Sequence, residues 1–181
     1  MTHIQIENII ANAQISELID IKFLSEKITD CSYNPSEFNG LSIKYEKENI
    51  AVIILETGKV VCTGAKEISD AVEKIKKVAN QLKKFGLKIK KDYEVKIENI
   101  TVTTNLKKDL HLESIAKNLM FQEVDFHPET FPGLIYKMDD LQIILIIFNT
   151  GKIVCTGAKN INDATNSINK IKERFASIGV L

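Results

Sequence analysis

Apolar and polar residues follow a fixed order along the chain, and that order predicts its elements. In the first half, the pattern over Ile4–Asn12 predicts a strand, and Asp20–Ile28 predicts a short helix capped by the side chain of Asp20. A group of short strands follows, and a stripe of apolar residues at helical spacing predicts a long helix over Glu67–Phe85, which Gly86 ends. Each half is therefore predicted to contain one strand, one helix, four short strands and one helix.

The short strands of the first half are joined by turn residues, and Thr57-Gly58 connects the last two as a tight hairpin. In the second half, the closing helix is predicted over Asn162–Phe175 and ends before Gly179. This order is typical of an α+β fold in which helices cover one face of an antiparallel sheet. The short strands named here lie near Leu41–Glu46, Ile50–Glu56 and Lys59–Thr63.

The two halves are copies of one sequence. Thr57–Lys66 and Thr150–Lys159 are identical at nine of ten positions, 93 residues apart. The similarity extends without a gap back to Asn34 in one copy and His127 in the other. We therefore divide the chain into a first repeat, residues 1–90, and a second repeat, residues 91–181. Two copies are too few for a stacked array, so we expect a pseudo-symmetric pair.

Two of the predicted strands are apolar on both faces, which is unusual in an antiparallel sheet. Ala51–Leu55 and Ile143–Phe148 contain no polar residue. The helices cover only one face, so the other, which we call the open face, would expose a large apolar surface. Alternation along the strands assigns these residues to it: Asn8, Ile10, Ile53, Leu55, Lys59, Val61 and Thr63 in the first repeat, and Asn99, Thr101, Ile146, Phe148, Lys152, Val154 and Thr156 in the second.

The open face has several interpretations. One is the dry core of a sandwich or of a homodimer. Against it, Asn, Thr and Lys recur at matching places in both repeats, and unpaired buried polar groups cost about 1 to 3 kcal/mol each. Such a face suits a ligand that offers hydrogen-bond acceptors. A helix-grip module that binds an apolar small molecule and a homodimerising structural module are the alternatives.

Composition and charge narrow the class of protein. The chain has 181 residues, of which 44% are hydrophobic and 27% charged, as in a globular domain with a real core. Its 24 basic and 24 acidic residues cancel, so charge alone indicates no nucleic-acid partner. The exception is Lys74–Lys91, with eight lysines and no acid, a pattern typical of a solvated helix face. No apolar run has membrane length and no signal peptide is apparent, which predicts a soluble, cytoplasmic protein.

The sequence carries no recognisable catalytic or metal-binding motif. Gly58–Lys66 contains two glycines and two lysines, but not in the spacing of a phosphate-binding P-loop. The three histidines are isolated, and Cys31, Cys62 and Cys155 show no CxxC spacing. This pattern argues against a disulfide framework and a zinc site. We expect no enzymatic activity, no metal and no cofactor.

Together these features resemble the TATA-box-binding protein family of saddle-shaped transcription factors. The resemblance rests on the repeated GK[VI]VCTGAK block, the Pro-x-x-Phe-x-Gly-Leu segments that start at Pro35 and Pro128, and the asparagine-bearing first strands, and it covers essentially the whole chain. It implies one curved antiparallel sheet with helices on the convex face. Without a long N-terminal extension, the chain is similar to the archaeal members, which implies association with a nucleoid.

The resemblance implies a general initiation factor that binds the minor groove of TATA-box promoter DNA, bends it, and recruits transcription factor B and RNA polymerase. In that groove A·T and T·A pairs present only acceptors, whereas G·C adds an amino donor. One departure is Thr101, where the family usually has an aliphatic residue. The positions matching base contacts in the family are Asn8, Asn99, Thr63, Thr156, Val61, Val154, Ile10, Thr101, Ile53 and Ile146.

Two further sets of positions match DNA contacts of the family. The first kinks the duplex by inserting apolar side chains between base steps, and Leu55 stands where the family has a phenylalanine. The second holds phosphates, and Lys44 and Lys137 stand where arginine is common. The kinking positions are Phe38, Leu55, Phe131 and Phe148, and the phosphate positions are Lys44, Lys59, Lys137 and Lys152.

Protein partners are also implied. The loop Phe126–Thr130 matches the loop that contacts transcription factor B in the family. Glu129 is kept there, whereas His127 and Thr130 replace an acidic residue and a leucine. The exposed apolar face further leads us to expect weak homodimers of the free chain, and no membrane partner.

Overall fold

An antiparallel sheet with helices on one side forms the fold, which confirms the predicted α+β class. The computed structural model describes residues 3–119, 124–138 and 142–181. Its strands are β1 (Gln5–Gln14), β2 (Cys31–Tyr33), β3 (Gly40–Tyr45), β4 (Ile50–Leu55), β5 (Lys59–Ala65), β6 (Lys96–Asn105), β7 (Val124–Asp125), β8 (Gly133–Lys137), β9 (Ile144–Phe148) and β10 (Lys152–Ala158). Its helices are α1 (Ile21–Lys27), α2 (Ile68–Lys84), α3 (Leu112–Asn118) and α4 (Ile161–Ser177).

The strand order is β2-β3-β4-β5-β1 for the strands of the first repeat and β6-β10-β9-β8-β7 for those of the second. The chain forms two compact units, which we name after the repeat that supplies most of their residues. The first-repeat unit is Asn8–Glu98, and the second-repeat unit is Asn99–Leu181 with the residues up to Glu7. None of the helices in the described ranges is long and apolar enough to cross a membrane.

The helix boundaries follow from their caps. The Asp20 side chain accepts a hydrogen bond from the Phe23 N–H at 2.9 Å, which confirms the predicted start of α1. Asn160 does the same for α4, accepting from the Asp163 N–H at 2.8 Å, so this helix begins before the predicted residue. Both long helices end at a glycine with positive φ, as predicted: Gly86 at +87° and Gly179 at +72°.

The core of each unit lies between its sheet and its long helix. In the first-repeat unit, the buried positions of β4 and β5 alternate with half-exposed ones, and α2 packs on this buried side. The second-repeat unit repeats the arrangement with β9, β10 and α4. The fully buried residues include Val52, Ile54, Val60 and Cys62 with Ile75 and Leu82, and Leu145, Ile147, Ile153 and Cys155 with Ile168 and Phe175.

The alternation confirms the predicted open face. In β4 and β5, Ile53, Leu55, Val61 and Thr63 are half-buried. The residues that alternate with them, Val52, Ile54, Val60 and Cys62, are fully buried. The equivalent residues of β9 and β10 show the same pattern. The two strands that are apolar on both faces therefore place one row against the helix and the other row on the open face.

Candidate nucleic-acid interface

An asparagine is anchored beside a β-bulge in each unit. The pairing of β10 with β6 skips a residue around Gly157, whose φ is +96°. The bulge turns the Gly157 N–H toward Asn99, whose Oδ1 accepts it at 2.6 Å. In the first-repeat unit, the pairing of β5 with β1 is irregular in the same way, and the Gly64 N–H donates to Asn8 Oδ1 at 2.7 Å. Each bulge thus fixes one side-chain amide.

The anchor decides which way each amide points. A backbone N–H only donates, so the atom it meets must be the amide oxygen. Asn8 Nδ2 then lies 3.3 Å from Thr63 Oγ1. Asn99 Nδ2 lies 3.0 Å from Thr156 Oγ1 and 3.3 Å from Thr101 Oγ1.

The two threonine oxygens around Asn99 are themselves 3.1 Å apart. The three atoms therefore form a nearly equilateral triangle, and a single amide hydrogen points between the two oxygens. The second hydrogen diverges from the first, because the two hydrogens of an amide lie on opposite sides of its C–N axis. Among the described residues the two amide nitrogens contact only these threonine oxygens, so each asparagine can offer one hydrogen to an acceptor outside the chain.

The apolar residues predicted to contact bases surround these amides within each unit. Val61 pairs with Ile53 across β5 and β4, and Val154 pairs with Ile146 across β10 and β9. Ile10 and Thr101 lie on β1 and β6, two residues beyond the asparagines, and both are half-buried. Each unit thus presents a strand surface that is mostly apolar and carries few oriented donors.

Sequence reasoning missed two carboxylates that hold polar groups of β1 and β6. Glu98 Oε1 accepts from Asn12 Nδ2 at 2.6 Å in the first-repeat unit. Glu7 Oε1 accepts from the Thr103 hydroxyl at 2.7 Å in the second-repeat unit. The glutamates occupy matching places in the repeated Ile-Glu-Asn-Ile sequence, and Asn12 matches Thr103 at the same spacing. That double match was the signal available in the sequence.

Two phenylalanines form an aromatic pair at one end of the strands of the second-repeat unit. The ring centroids of Phe131 and Phe148 are 6.1 Å apart in an edge-to-face arrangement. Gly133 pairs with Phe148 across β8 and β9, and a Cβ at Gly133 would lie 2.7 Å from the Phe131 ring. The missing side chain of Gly133 therefore makes room for the ring of Phe131, which is 37% exposed.

The first-repeat unit places one ring and one leucine in the same arrangement. Gly40 pairs with Leu55 across β3 and β4, and a Cβ at Gly40 would overlap the Phe38 ring. Phe38 is 49% exposed. This close approach explains why phenylalanine precedes glycine by two residues in both repeats.

The four lysines predicted to hold phosphates lie on strands. Lys59 and Lys152 begin β5 and β10, and Lys44 and Lys137 lie near the ends of β3 and β8. No ion pair within the described part of the chain involves them. Their charges are therefore available to an external anion.

The lysine-rich segment Lys74–Lys91 contains both ion-paired and exposed lysines. Lys74 is buried in α2, pairs with the Glu48 carboxylate, and lies 4.9 Å over the Tyr45 ring. Lys90 pairs with Glu17 at 2.5 Å. The exposed lysines of α2 fit the predicted solvated helix face.

The loop predicted to contact transcription factor B is exposed and internally bonded. His127 lies between two acidic side chains, with Nε2 3.2 Å from Asp125 and Nδ1 3.5 Å from Glu129. The Thr130 hydroxyl donates to the His127 carbonyl at 3.1 Å. Beside the loop is a cavity of about 630 Å³ whose lining includes Leu112, Phe126 and Pro128.

The buried thiols are poor nucleophiles. Burial raises the pKa of Cys62 to about 11 and that of Cys155 to about 12. Cys155 Sγ lies 4.0 Å from the Ala164 carbonyl of α4. Both cysteines are packed against a helix, as their strand parity predicts.

Comparison with known proteins identifies the family. The family model described as "Transcription factor TFIID (or TATA-binding protein, TBP)" matches residues 3–85 and again residues 94–178. The chain belongs to the TATA-box-binding protein family. This is a family of transcription factors and not of enzymes.

Individual relatives are similar over nearly their whole length. The TATA-box-binding protein of Archaeoglobus fulgidus is 37% identical over 98% of this chain and 97% of its own. That of Methanothermobacter thermautotrophicus is 38% identical with the same coverage, 98% and 97%. The solved structure described as Methanococcus jannaschii TBP matches with a TM-score of 0.86 at 34% identity, covering 97% of this chain and 99% of that one. The fold and the internal duplication are therefore those of the family.

Proposed function

We propose that this family member is a general transcription initiation factor whose open faces bind the minor groove of TATA-box promoter DNA. The observation that carries the proposal is the pair of anchored asparagines, Asn8 and Asn99, each of which offers a donor from an apolar strand surface. Minor-groove acceptors of A·T pairs match such donors, whereas the guanine amino group does not. The proposal takes residues 1–90 and 91–181 as the two DNA-binding repeats.

The remaining residues of the open face supply contacts without hydrogen bonds to bases. Val61, Val154, Ile53 and Ile146 form apolar rows that fit sugar and base edges, and Thr63 and Thr156 support the asparagines. The four strand lysines, Lys44, Lys59, Lys137 and Lys152, neutralise phosphates. Because only these four lysines are assigned to phosphates, few counterions are released and the dependence of binding on salt is modest.

DNA kinking is assigned to the aromatic end of each unit. The edge-to-face pair of Phe131 and Phe148 would insert at one base step, and Phe38 with Leu55 at another. Inserted side chains unstack a step and bend the duplex, which brings more protein surface into contact.

The kinking residues are Phe38 with Leu55 in the first repeat and Phe131 with Phe148 in the second, and this difference predicts unequal kinks at the two ends of the site. Phe148→Leu gives the second repeat the pair of residues that the first repeat has, and we expect it to reduce the DNA bend. Leu55→Phe makes the reverse change and should increase the bend. Energy transfer between dyes at the two duplex ends measures both. Equal bends in wild type and both variants would contradict the wedge assignment.

Transcription factor B and, through it, RNA polymerase are the proposed protein partners. The exposed loop with Glu129 and Thr130 and the cavity beside it, which has both apolar and polar lining residues, are the surface we assign to transcription factor B. The free chain would form weak homodimers through its open faces, and DNA would compete with them.

The proposal is tested by competition between two duplexes. Purified chain is titrated with a TATA-type duplex and with one in which G·C pairs replace the central A·T pairs, at several salt concentrations. We expect selective binding of the TATA-type duplex, accompanied by a bend. Equal affinity for both duplexes and no bend would overturn it.

The carboxylates of Glu7 and Glu98 oppose binding of an anionic duplex, which leads to a prediction. Glu98→Gln keeps an oxygen that accepts from Asn12 and removes one negative charge. We expect duplex affinity to rise about two- to fivefold at low salt and the gain to fade at high salt. Glu73→Gln on the exposed side of α2 is the matched control, with little change expected. Equal effects of both substitutions would show that only net charge matters.

A further inference from the structure

The two open faces differ at one matched position, and the difference is polar. Thr101 in the second-repeat unit corresponds to Ile10 in the first-repeat unit, each two residues after its asparagine. Thr101 Oγ1 lies 3.1 Å from Thr156 Oγ1 and 3.3 Å from Asn99 Nδ2. The second-repeat face therefore carries a connected group of one amide and two hydroxyls. The first-repeat face carries one amide and one hydroxyl.

Hydrogen counting shows what Thr101 can offer a ligand. The hydroxyl has one hydrogen and two lone pairs, and one lone pair faces Asn99 Nδ2. Either threonine can donate in the contact between Thr101 and Thr156. If Thr101 donates, its second lone pair is free to accept, and if Thr156 donates, the hydrogen of Thr101 is free. Thr101 can thus meet either an acceptor or a donor on a base edge, and Ile10 can meet neither.

The hydroxyl of Thr101 affects which base pairs the second-repeat face can accept in the minor groove. A·T pairs present acceptors only, and the guanine amino group is the single donor in that groove. An aliphatic surface leaves that amino group without an acceptor, and an unpaired buried donor is penalised. A hydroxyl that can accept removes the penalty.

From this we infer that Thr101 is a specificity-determining residue that lets the second-repeat face accept a G·C pair where the first-repeat face requires A·T. The inference rests on the proposed function, because it assumes that both faces read the minor groove. The same difference orients the protein on the DNA. On a site with G·C in one half, the protein binds with its second repeat on that half.

Four duplexes test the inference: one with A·T pairs only, two with G·C at a single symmetric position in the left or the right half, and one with G·C in both halves. The G·C pair is placed at each position of the half-site in turn, in a separate set of four duplexes. For wild type we expect each single substitution to weaken binding less than about threefold and the double substitution to weaken it roughly tenfold or more, because a mismatched pair is penalised on this scale.

Matched variants isolate the hydroxyl. Thr101→Val has nearly the same shape without the hydroxyl, and each single substitution should then weaken binding roughly tenfold or more. Thr101→Ser keeps a hydroxyl and should tolerate each single G·C substitution as wild type does. Ile10→Thr adds a hydroxyl to the first repeat and should also tolerate the double G·C substitution. Unchanged ratios in Thr101→Val would overturn the inference, and a melting temperature equal to that of wild type shows that the variant is folded.

Binding orientation provides an independent readout. Cys31 is the one cysteine of the three that is not buried, so a dye attached to it marks the first repeat. Energy transfer to one DNA end should be high on one singly substituted duplex and low on the other. The same value on both would overturn the inference. Failure of wild type to bind the A·T duplex would instead overturn the proposed function, and the inference with it.

Discussion

Asn99→Asp is expected to abolish selective binding of A/T-rich duplex DNA while leaving the fold intact. The aspartate carboxylate still accepts the Gly157 N–H, so the bulge keeps its partner. The amide hydrogen that we assign to a base acceptor is replaced by a negative charge. The lost donor and the new repulsion together should weaken binding of a TATA-type duplex by roughly 2 to 4 kcal/mol.

The matched control has the same charge change on the other side of the fold. Asn80 is exposed on α2, so Asn80→Asp should leave duplex affinity within about twofold of wild type. Asn8→Asp should behave like Asn99→Asp, since its Oδ1 has the same anchor. Affinity of Asn99→Asp within twofold of wild type, in a protein with an unchanged melting temperature, would show that Asn99 does not meet the DNA.

Gly157→Ala is expected to destabilise the chain by roughly 2 to 6 kcal/mol. The φ of +96° is strained for any residue with a Cβ, at about 1 to 3 kcal/mol. The new Cβ would also overlap the Gln142 carbonyl oxygen and lie 2.9 Å from the carbonyl carbon. Relieving that overlap moves backbone, which adds about 1 to 3 kcal/mol. Urea denaturation measures the loss.

Gly179→Ala separates the two contributions. Its φ is +72°, but a Cβ there would meet nothing within 4 Å. Only the conformational term applies, so we expect a loss of about 1 to 2 kcal/mol. A loss for Gly157→Ala no larger than that for Gly179→Ala would mean that the overlap with Gln142 relaxes freely.

The sequence predicted the fold well because its patterns are local and duplicated. Ile53 and Ile54 are adjacent and chemically identical, yet period-two counting placed the first on the open face and the second in the core, and the structure agrees. The Asp20 cap was equally predictable, because a cap depends on residues three positions apart. Because the sequence is duplicated, the pattern in one repeat could be compared with the equivalent residues of the other.

The candidate site was less predictable because its decisive contacts are long-range. Parity placed Asn99 on the open face, but it could not show that a bulge at Gly157 aims an N–H at its oxygen. The bond between Asn12 and Glu98 joins residues 86 positions apart at the two ends of the first-repeat unit, and the sequence does not show that they meet. The room for Phe131 above Gly133 likewise required the observed backbone. In each case the residue types were visible, and the geometry that gives them a role was not.

Inosine substitution tests the central claim most directly. An inosine·cytosine pair presents the major-groove edge of G·C, but it lacks the guanine amino group, so its minor groove offers acceptors only, as A·T does. If the open faces read the minor groove, a TATA-type duplex rewritten with inosine·cytosine should bind nearly as well as the original, and the guanine·cytosine duplex should bind far more weakly. Equal weakening by inosine and guanine would contradict minor-groove reading by Asn8 and Asn99.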